Sequence, residues 1–239
     1  LGKSPTEPDP DIYEHRYIHC DVLIIGSGIS GIMAAKTSAK NGLKTLLVEE
    51  KPYLGGTTIY QNSEYFKINN QTSGSWLEKE INEIKKLKNL EIKTRTSVAA
   101  YHGYNFLLAK ENLTDHLPIE IREKKIRHRL LKIRAKKVVN ATGSIERPLI
   151  FDNNDRPGIF ISSAIKRYAD LYGVACGEKN ILFTNNDSAY ETAISLIQKG
   201  INVKAIIDNR ENVDSKLIYE AEKNNIKIFK GFTVVDTSG

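Results

Sequence analysis

The sequence predicts a layered α/β fold built on parallel sheets, and three observations carry that prediction. Between Cys20 and Val48 an apolar strand, a glycine-rich turn, a helical pattern and a second apolar strand follow one another. The same β-α-β order returns about 155 residues later, from Asn180 onward. Between the two lies a stretch whose apolar residues alternate, the mark of antiparallel strands. Strands that alternate with helices form parallel sheets, because each helix must cross back over a sheet face.

Composition narrows the class. The 239 residues are 40% hydrophobic and 27% charged, enough for one large core or two modest ones. Gly and Pro are ordinary, which excludes collagen-like and wholly disordered chains. No apolar run reaches the ~18 residues that a membrane span needs, and the opening LGKSPTEPDPD has no apolar signal segment. Two cysteines, Cys20 and Cys176, exclude a disulfide scaffold and point to a reducing cytoplasm. The net charge of +6 is concentrated in Arg122 to Lys137, which hold nine Lys/Arg. That stretch reads as a solvated hairpin with charges outward in preference to an electropositive face for partner subunits. Nucleic acid is a poor third reading, since no aromatics interleave.

In chain order, residues 1–18 read as a polar arm. A first domain then spans 19–150, with an antiparallel insertion at about 100–136, and a second, truncated one spans 151–239. Cys20 to Ile25 is a buried strand, Ser30 to Asn41 a helix capped by Gly42, and Lys44 to Val48 a second buried strand. Trp76 to Leu90 places Trp76, Leu77, Ile81, Ile84 and Leu87 on one helical face. Glu91 to Ala100, Tyr104 to Ala109 and Leu130 to Ile133 read as strands, and Lys137 to Gly143 as a buried strand ending in a turn. Ser162 to Tyr172 is helical. In the second domain Ile181 to Phe183, Val203 to Ile207 and Ile226 to Phe229 are strands, with helices at Ser188 to Lys199 and Ser215 to Asn224.

The first turn carries chemistry. Gly26, Gly28 and Gly31 form GxGxxG between a strand and a helix. Gly26 permits the tight turn, Gly28 lets a pyrophosphate reach the backbone, and Gly31 lets the helix pack close to the strand. The helix N-terminus offers N–H groups and partial positive charge to phosphates. Glu49 lies 18 residues beyond Gly31, at the end of the second strand, where a carboxylate accepts hydrogen bonds from both ribose hydroxyls of an adenosine and repels a 2′-phosphate. NADP is thereby disfavoured. Glu50, the next residue on a strand, should point the other way. Gly55-Gly56-Thr57 is a loop placed to meet the pyrophosphate or a ribose, and Ala141-Thr142-Gly143 ends a strand so as to bring backbone beside a cofactor. Together these predict an FAD/NAD(P)-binding Rossmann-like three-layer fold of the paired-dinucleotide-domain oxidoreductase type, with an antiparallel β insertion.

The second turn reads Thr184-Asn185-Asn186-Asp187-Ser188-Ala189, with Thr184 and Asn186 at the two critical glycine positions. A side chain at Asn186 should stand where a pyrophosphate would sit. Asp208 ends the following strand, where a ribose acid would be, as a relic or a partial site. The five histidines lack metal-ligand spacing, no CxxC supports a redox disulfide, and Asp187 and Ser188 have no nearby base for a hydrolase triad.

These residues resemble an internal stretch of the alpha subunit of heterotetrameric sarcosine oxidases, from about Asp11 to Asp208. The stretches that carry the resemblance are YEHRYIHCDVLIIGSGISG, EEKPYLGG, TRTSVAAYHGYN, RAKKVVNATGSIERPLIFDNNDRPGIF and ILFTNNDSAYETA. It implies a piece of a longer polypeptide, with partner subunits and no membrane. It implies a complex that oxidises sarcosine to glycine at FAD in the beta subunit and passes electrons through FMN to oxygen. Hydrogen peroxide forms, and the one-carbon unit leaves as formaldehyde or methylene-tetrahydrofolate. The region like this chain carries NAD and no catalytic residue. The implied contacts are Gly26, Ser27, Gly28, Ile29, Ser30, Gly31, Glu49, Glu50, Lys51, Gly55, Gly56, Thr57, Val98, Ala141, Thr142 and Gly143. Tyr101-His102-Gly103-Tyr104-Asn105 departs from the usual Tyr-Tyr-Asp-His-Asn, which leaves His102 without a role. The residues alone also admit two other readings: a free-standing FAD-dependent NADH oxidoreductase with FAD in the same turn, and a scaffold that binds no nucleotide. The resemblance extends to alpha-type subunits of opine and proline dehydrogenases, which share the fold and several motifs.

Overall fold

The computed structural model describes residues 2–4, 6–61 and 67–238. Leu1 and Pro5 of the predicted arm, and Gly239, lie outside the described residues. The chain divides into two compact units, Leu1–Gly143 and Ser144–Gly239, so the division falls ahead of the predicted boundary at 150.

Unit 1 runs β1 (Ile12–Ile25), α1 (Ile29–Lys40), β2 (Thr45–Val48), the short hairpin β3 (Lys67–Ile68) and β4 (Gln71–Thr72), then α2 (Ser73–Ile84). It continues with β5 (Leu90–Lys93), β6 (Thr96–His102), β7 (Phe106–Asn112), α3 (Ile119–Arg122) and β8 (Ile126–Asn140). The main sheet has the order β5-β2-β1-β8-β7-β6. Its first four strands are parallel, while β8, β7 and β6 are antiparallel neighbours. The period-two alternation of β1 and β2 feeds two cores. Val22, Ile24 and Leu47 pack with Ile32, Ala35, Trp76, Leu77 and Ile84 of α1 and α2. Leu23, Leu46 and Val48 point the other way and pack with Leu107, Ala109, Leu131 and Ile133 of the antiparallel strands. Each fully buried Val, Leu or Ile among them contributes about 1.5–3 kcal/mol. The result is three layers, helices on one face of the parallel strands and antiparallel strands on the other.

Four features differ from expectation. The arm predicted for residues 1–18 is strand from Ile12, because Ile12–Cys20 pair in parallel with β8. The basic stretch is not simply solvated. Asp11 pairs with Arg127 and Arg122, Glu14 with Arg129, and Asp21 with Lys136, so acids at one end of the sequence neutralise bases over 100 residues away. The strand predicted over Glu91 to Ala100 is two strands, broken at Arg95, whose φ is +52°. The helix predicted to Leu90 ends at Ile84, since Leu90 is already paired with Thr45 in the sheet.

Unit 2 holds α4 (Ser162–Tyr172), β9 (Asn180–Thr184), α5 (Ser188–Gln198), β10 (Val203–Asp208), α6 (Lys216–Lys223) and β11 (Lys227–Lys230). Its strands form a parallel sheet of order β11-β10-β9. Leu182, Ile206, Tyr190, Leu196 and Ile218 form the core between sheet and helices. Glu146, from the ATGSIERP stretch, accepts bonds from Ser162 Oγ (3.1 Å) and Ser163 N–H (2.8 Å), capping α4. Burial pushes the Glu146 carboxyl up, but those serine hydrogen bonds outweigh it and hold its pKa below the ordinary value.

Candidate dinucleotide site

The turn after β1 is built by close backbone packing. Gly26 adopts φ +95°, and a side chain there would strike the carbonyl of Ala141. The Ala141 N–H in turn donates to the Ile25 carbonyl at 2.8 Å. A side chain on Gly31 would strike the Gly26 carbonyl, so α1 can approach the strand only with glycine there. Gly28 differs from both: a methyl group added to it meets nothing within 4 Å. Space above Gly28 is therefore open, and α1 begins there without a side-chain cap and without an acid in its first turn. That is an uncompensated helix N-terminus facing open space, the feature that suits a phosphate.

Glu49 closes the arrangement from β2. Its side chain is buried, with the residue 6% exposed. Ser27 donates to its Oε2 twice, from N–H at 2.8 Å and Oγ at 2.6 Å, and the Lys51 N–H donates to Oε1 at 2.9 Å. A carboxylate has about four acceptor sites. Three are used within the chain, leaving one on Oε1. Glu50 is exposed, in contrast to Glu49, and its carboxylate pairs with Lys51 Nζ at 2.9 Å.

The glycine loop joins the same cluster. Gly55 N–H donates to the Ser27 carbonyl (2.9 Å) and to Ser27 Oγ (3.2 Å). A Cβ on Gly56 would lie 2.9 Å from Gly28 Cα, so this loop rests directly on the turn. Thr57 is exposed in the short 3-10 turn Gly56–Tyr60. Ile29 and Ser30 open α1, with Ser30 exposed. Val98 lies on β6, packed against the core shared with Leu23 and Val48. The Thr96 N–H, two residues before it, donates to the Glu49 carbonyl at 2.8 Å. Thr142 and Gly143 are exposed beyond the end of β8. Gly26, Ser27, Gly28, Gly31, Glu49, Gly55, Gly56 and Ala141 thus gather at one end of the parallel strands, while Val98 faces the core. Sequence reasoning missed the part played by Ser27, which ties turn, acid and loop together; a small hydroxyl residue inside GxGxxG was the available signal.

The corresponding turn of unit 2 is closed. Thr184 Oγ donates to the Asn186 carbonyl and accepts the Asn186 N–H, bracing a loop without glycine. Asn186 Oδ1 accepts from Ser188 N–H at 2.9 Å and from its Oγ at 2.6 Å, so a side chain occupies the start of α5. Asp208 is 0% exposed and accepts four hydrogen bonds. They come from Tyr190 OH (2.8 Å) and from the N–H, Nε and Nη2 of Arg210 (3.0, 3.0 and 2.7 Å). Arg210 also reaches Asp187 at 2.8 Å. Burial pushes the Asp208 carboxyl up, but the Arg210 and Tyr190 hydrogen bonds outweigh it and leave its pKa below the ordinary value. Tyr190 is raised, first by burial and then by its bond to Asp208.

Other chemistries find less support. Both cysteines are free, and burial pushes the Cys20 thiol up to about 11, so it stays protonated. Among the described residues no group of three His, Cys, Asp or Glu is placed to hold a metal. Among them, too, no helix is long and apolar enough to cross a membrane.

Residues 21–146 match the family described as FAD dependent oxidoreductase. The sarcosine oxidase subunit alpha of Corynebacterium sp. (strain P-1) is 35% identical over 237 residues, covering 99% of this chain and 24% of the relative. That of Rhizobium meliloti (strain 1021) is 36% identical over 217 residues, covering 88% and 21%. The resemblance to these alpha subunits therefore holds over most of the chain, which spans about a quarter of their length. L-proline dehydrogenase from P. horikoshii superposes with a TM-score of 0.64 and 29% identity, over 85% of this chain and 38% of that one. T. acidophilum thioredoxin reductase superposes with a TM-score of 0.64 at 17% identity, over 92% and 67%, a likeness of fold alone. The matched family region takes in more than half of the sequence, including the glycine turn, Glu49 and Ala141, and on that ground this chain belongs to the FAD dependent oxidoreductase family.

Proposed function

We infer that unit 1 binds the ADP half of a dinucleotide within an alpha-type subunit of an amine oxidoreductase complex. The observation that carries this reading is Gly28: open space above it, an uncapped helix N-terminus beside it, and a ribose acid within the same turn network. Gly28 and the start of α1 would hold the pyrophosphate, Gly56 would flank it, and Glu49 would take a ribose hydroxyl. FAD is the cofactor that the family match favours. Bound flavin would supply two-electron acceptor chemistry, and this chain's residues would supply binding and orientation. NAD, implied by the sequence resemblance, shares the ADP half and fits the same cradle.

Sarcosine is the substrate suggested by relatives named sarcosine oxidase subunit alpha. Its oxidation to glycine, with hydrogen peroxide and formaldehyde or methylene-tetrahydrofolate, would need partner subunits, and a reducing cytoplasm suits the two free cysteines. A proline dehydrogenase subunit is the second reading, favoured by the superposition on L-proline dehydrogenase. A free-standing NADH oxidoreductase needs two nucleotide sites, and the saturated Asp208 argues against the second.

The test is to denature the purified chain and identify what it releases, by absorbance and mass, then to titrate FAD, NAD and ADP into the stripped protein. Released or rebound FAD supports the flavoprotein reading. NAD alone moves the assignment to a static nicotinamide nucleotide. No binding of any of the three sinks the dinucleotide reading and favours a scaffold.

A further inference from the structure

We propose that the free edge of β1 pairs antiparallel with the same edge of a second copy of this chain, around a two-fold axis at His15. The inference is independent of the nucleotide reading. β1 pairs with β8 along its length, but with β2 only over Val22 to Ile25. On the β2 side, Tyr13 to Cys20 therefore form an open strand edge among the described residues. Asp21 N–H points to that side, donating to the Lys44 carbonyl at 2.8 Å. Backbone direction alternates along a strand, so His19, Tyr17, His15 and Tyr13 present their N–H and C=O groups along the open edge. No proline interrupts these residues, and such an edge is a template for another strand.

The side chains on this edge specify which strand it takes. Ile12-Tyr13-Glu14-His15-Arg16-Tyr17-Ile18 reads the same in both directions, except that the acid at 14 is mirrored by the base at 16. With His15 opposite the partner's His15, Glu14 faces the partner's Arg16, Tyr13 the partner's Tyr17 and Ile12 the partner's Ile18. Opposite charges, aromatics and aliphatics each meet their like or complement, the pairs that stabilise adjacent strands. Moving the axis by one residue sets Glu14 against the partner's Glu14, or Arg16 against the partner's Arg16, and like charges directly opposite are destabilising. The backbone agrees with the His15 register. His15 and the two tyrosines fall at hydrogen-bonded positions, and Glu14 with the partner's Arg16 at the closer, non-hydrogen-bonded one. The groups are also available. Tyr13 is 50% exposed and Tyr17 67%. Arg16 is exposed and meets no carboxylate among the described residues, whereas Arg127 and Arg129 on β8 meet Asp11 and Glu14. Arg129 Nε takes only Oε2 of Glu14, at 2.6 Å, which leaves the other oxygen for the partner's Arg16. The interface is isologous, with each copy offering the same segment to the other.

The experiment is analytical ultracentrifugation of this chain over a concentration series, beside Arg16→Glu and the charge-swapped double variant Glu14→Arg, Arg16→Glu, with circular dichroism melts as a check on folding. The unaltered chain should pass from one copy to two as concentration rises. Arg16→Glu sets two acids against each other on both sides of the axis and should weaken the dimer roughly tenfold or more. The double variant restores opposite charges and should recover it. Cross-linking tests the register without relying on the double variant to fold. In a Cys176→Ser chain, His15→Cys brings two thiols to a hydrogen-bonded pair with Cα atoms about 5.5 Å apart, within disulfide reach. Arg16→Cys in the same chain leaves them diagonal at about 7–8 Å, beyond it. Mild oxidation should therefore link the first into dimers and not the second. A chain that stays single at every concentration would overturn the inference and leave the edge to a strand of another protein. A dimer that folded Arg16→Glu leaves unchanged would overturn it too, as would equal cross-linking of the two cysteine variants.

Discussion

The turn between β1 and α1 and the turn between β9 and α5 hold the same place in two β-α-β motifs, yet they answer oppositely to a phosphate. In the first, Gly28 leaves open space and no side chain caps the helix. In the second, Asn186 Oδ1 already takes the Ser188 N–H and hydroxyl, Asp187 is the N-cap residue and Glu191 lies in the first turn, so the helix end is filled and negatively flanked. The acids differ in the same sense. Glu49 has spent three of about four acceptor places, whereas Asp208 has spent all four. A shared topology therefore does not transmit a shared site. The first motif keeps its polar groups available, and the second uses them to hold itself together.

The comparison can be broken at Asp208 first. Asp208→Asn removes the buried negative charge opposite Arg210 and turns one of its two acceptor oxygens into an amide that donates, and should cost unit 2 about 3–5 kcal/mol, read from urea melts. The folded-state pKa of Asp208 is depressed, so its stabilisation is present above the ordinary value of 3.8 and is lost as pH falls through the lowered one. The gap between unaltered and variant chains should accordingly hold at neutral pH and narrow only below about pH 4.

Gly31→Ala comes next. The new methyl meets the Gly26 carbonyl, and overpacking of this kind costs about 1–3 kcal/mol, visible as a lower melting temperature of unit 1. Tyr190→Phe removes one of the four donors on Asp208 and should cost about 1–1.5 kcal/mol by the same melts. Gly28→Ala sharpens the contrast. Its methyl meets nothing, so stability should change by about 0.5 kcal/mol, the size of a weakened N-cap. ADP affinity should nevertheless fall by roughly tenfold or more, because the methyl stands where a pyrophosphate approaches. The smallest effect is expected from installing glycines in the second turn. A Thr184→Gly, Asn186→Gly chain should gain no measurable ADP binding by calorimetry, since Asp208 stays saturated.

Local pattern made much of this legible. The helix expected over Ser162 to Tyr172 is α4 to the residue, and α5 ends one residue short of its prediction at Gln198. These elements are amphipathic, and their periodicity is written in neighbouring residues. The glycine roles at 26, 28 and 31 were equally readable, because each follows from the steric demands of one tight turn. Ile12 to His19 were not readable as strand. Their partner is β8, and the acids that hold them meet bases more than 100 residues away. The prolines just ahead of Ile12, and the charges at Glu14 and Arg16 within the segment, hide such a pairing from a local reading.

The sequence by itself determined the order of elements, the two β-α-β motifs and the presence of one glycine turn with an acid in step behind it. These follow from period, turn chemistry and spacing, which act over a few residues. Only the tertiary structure decided which acceptor sites remain. Whether Glu49 or Asp208 can greet a ligand depends on Ser27 and Tyr190 arriving from other segments to add to what Lys51 and Arg210, each two residues from its acid, already supply. Hydrogen-bond saturation is a property of atoms brought together in space, and no spacing along the chain encodes it.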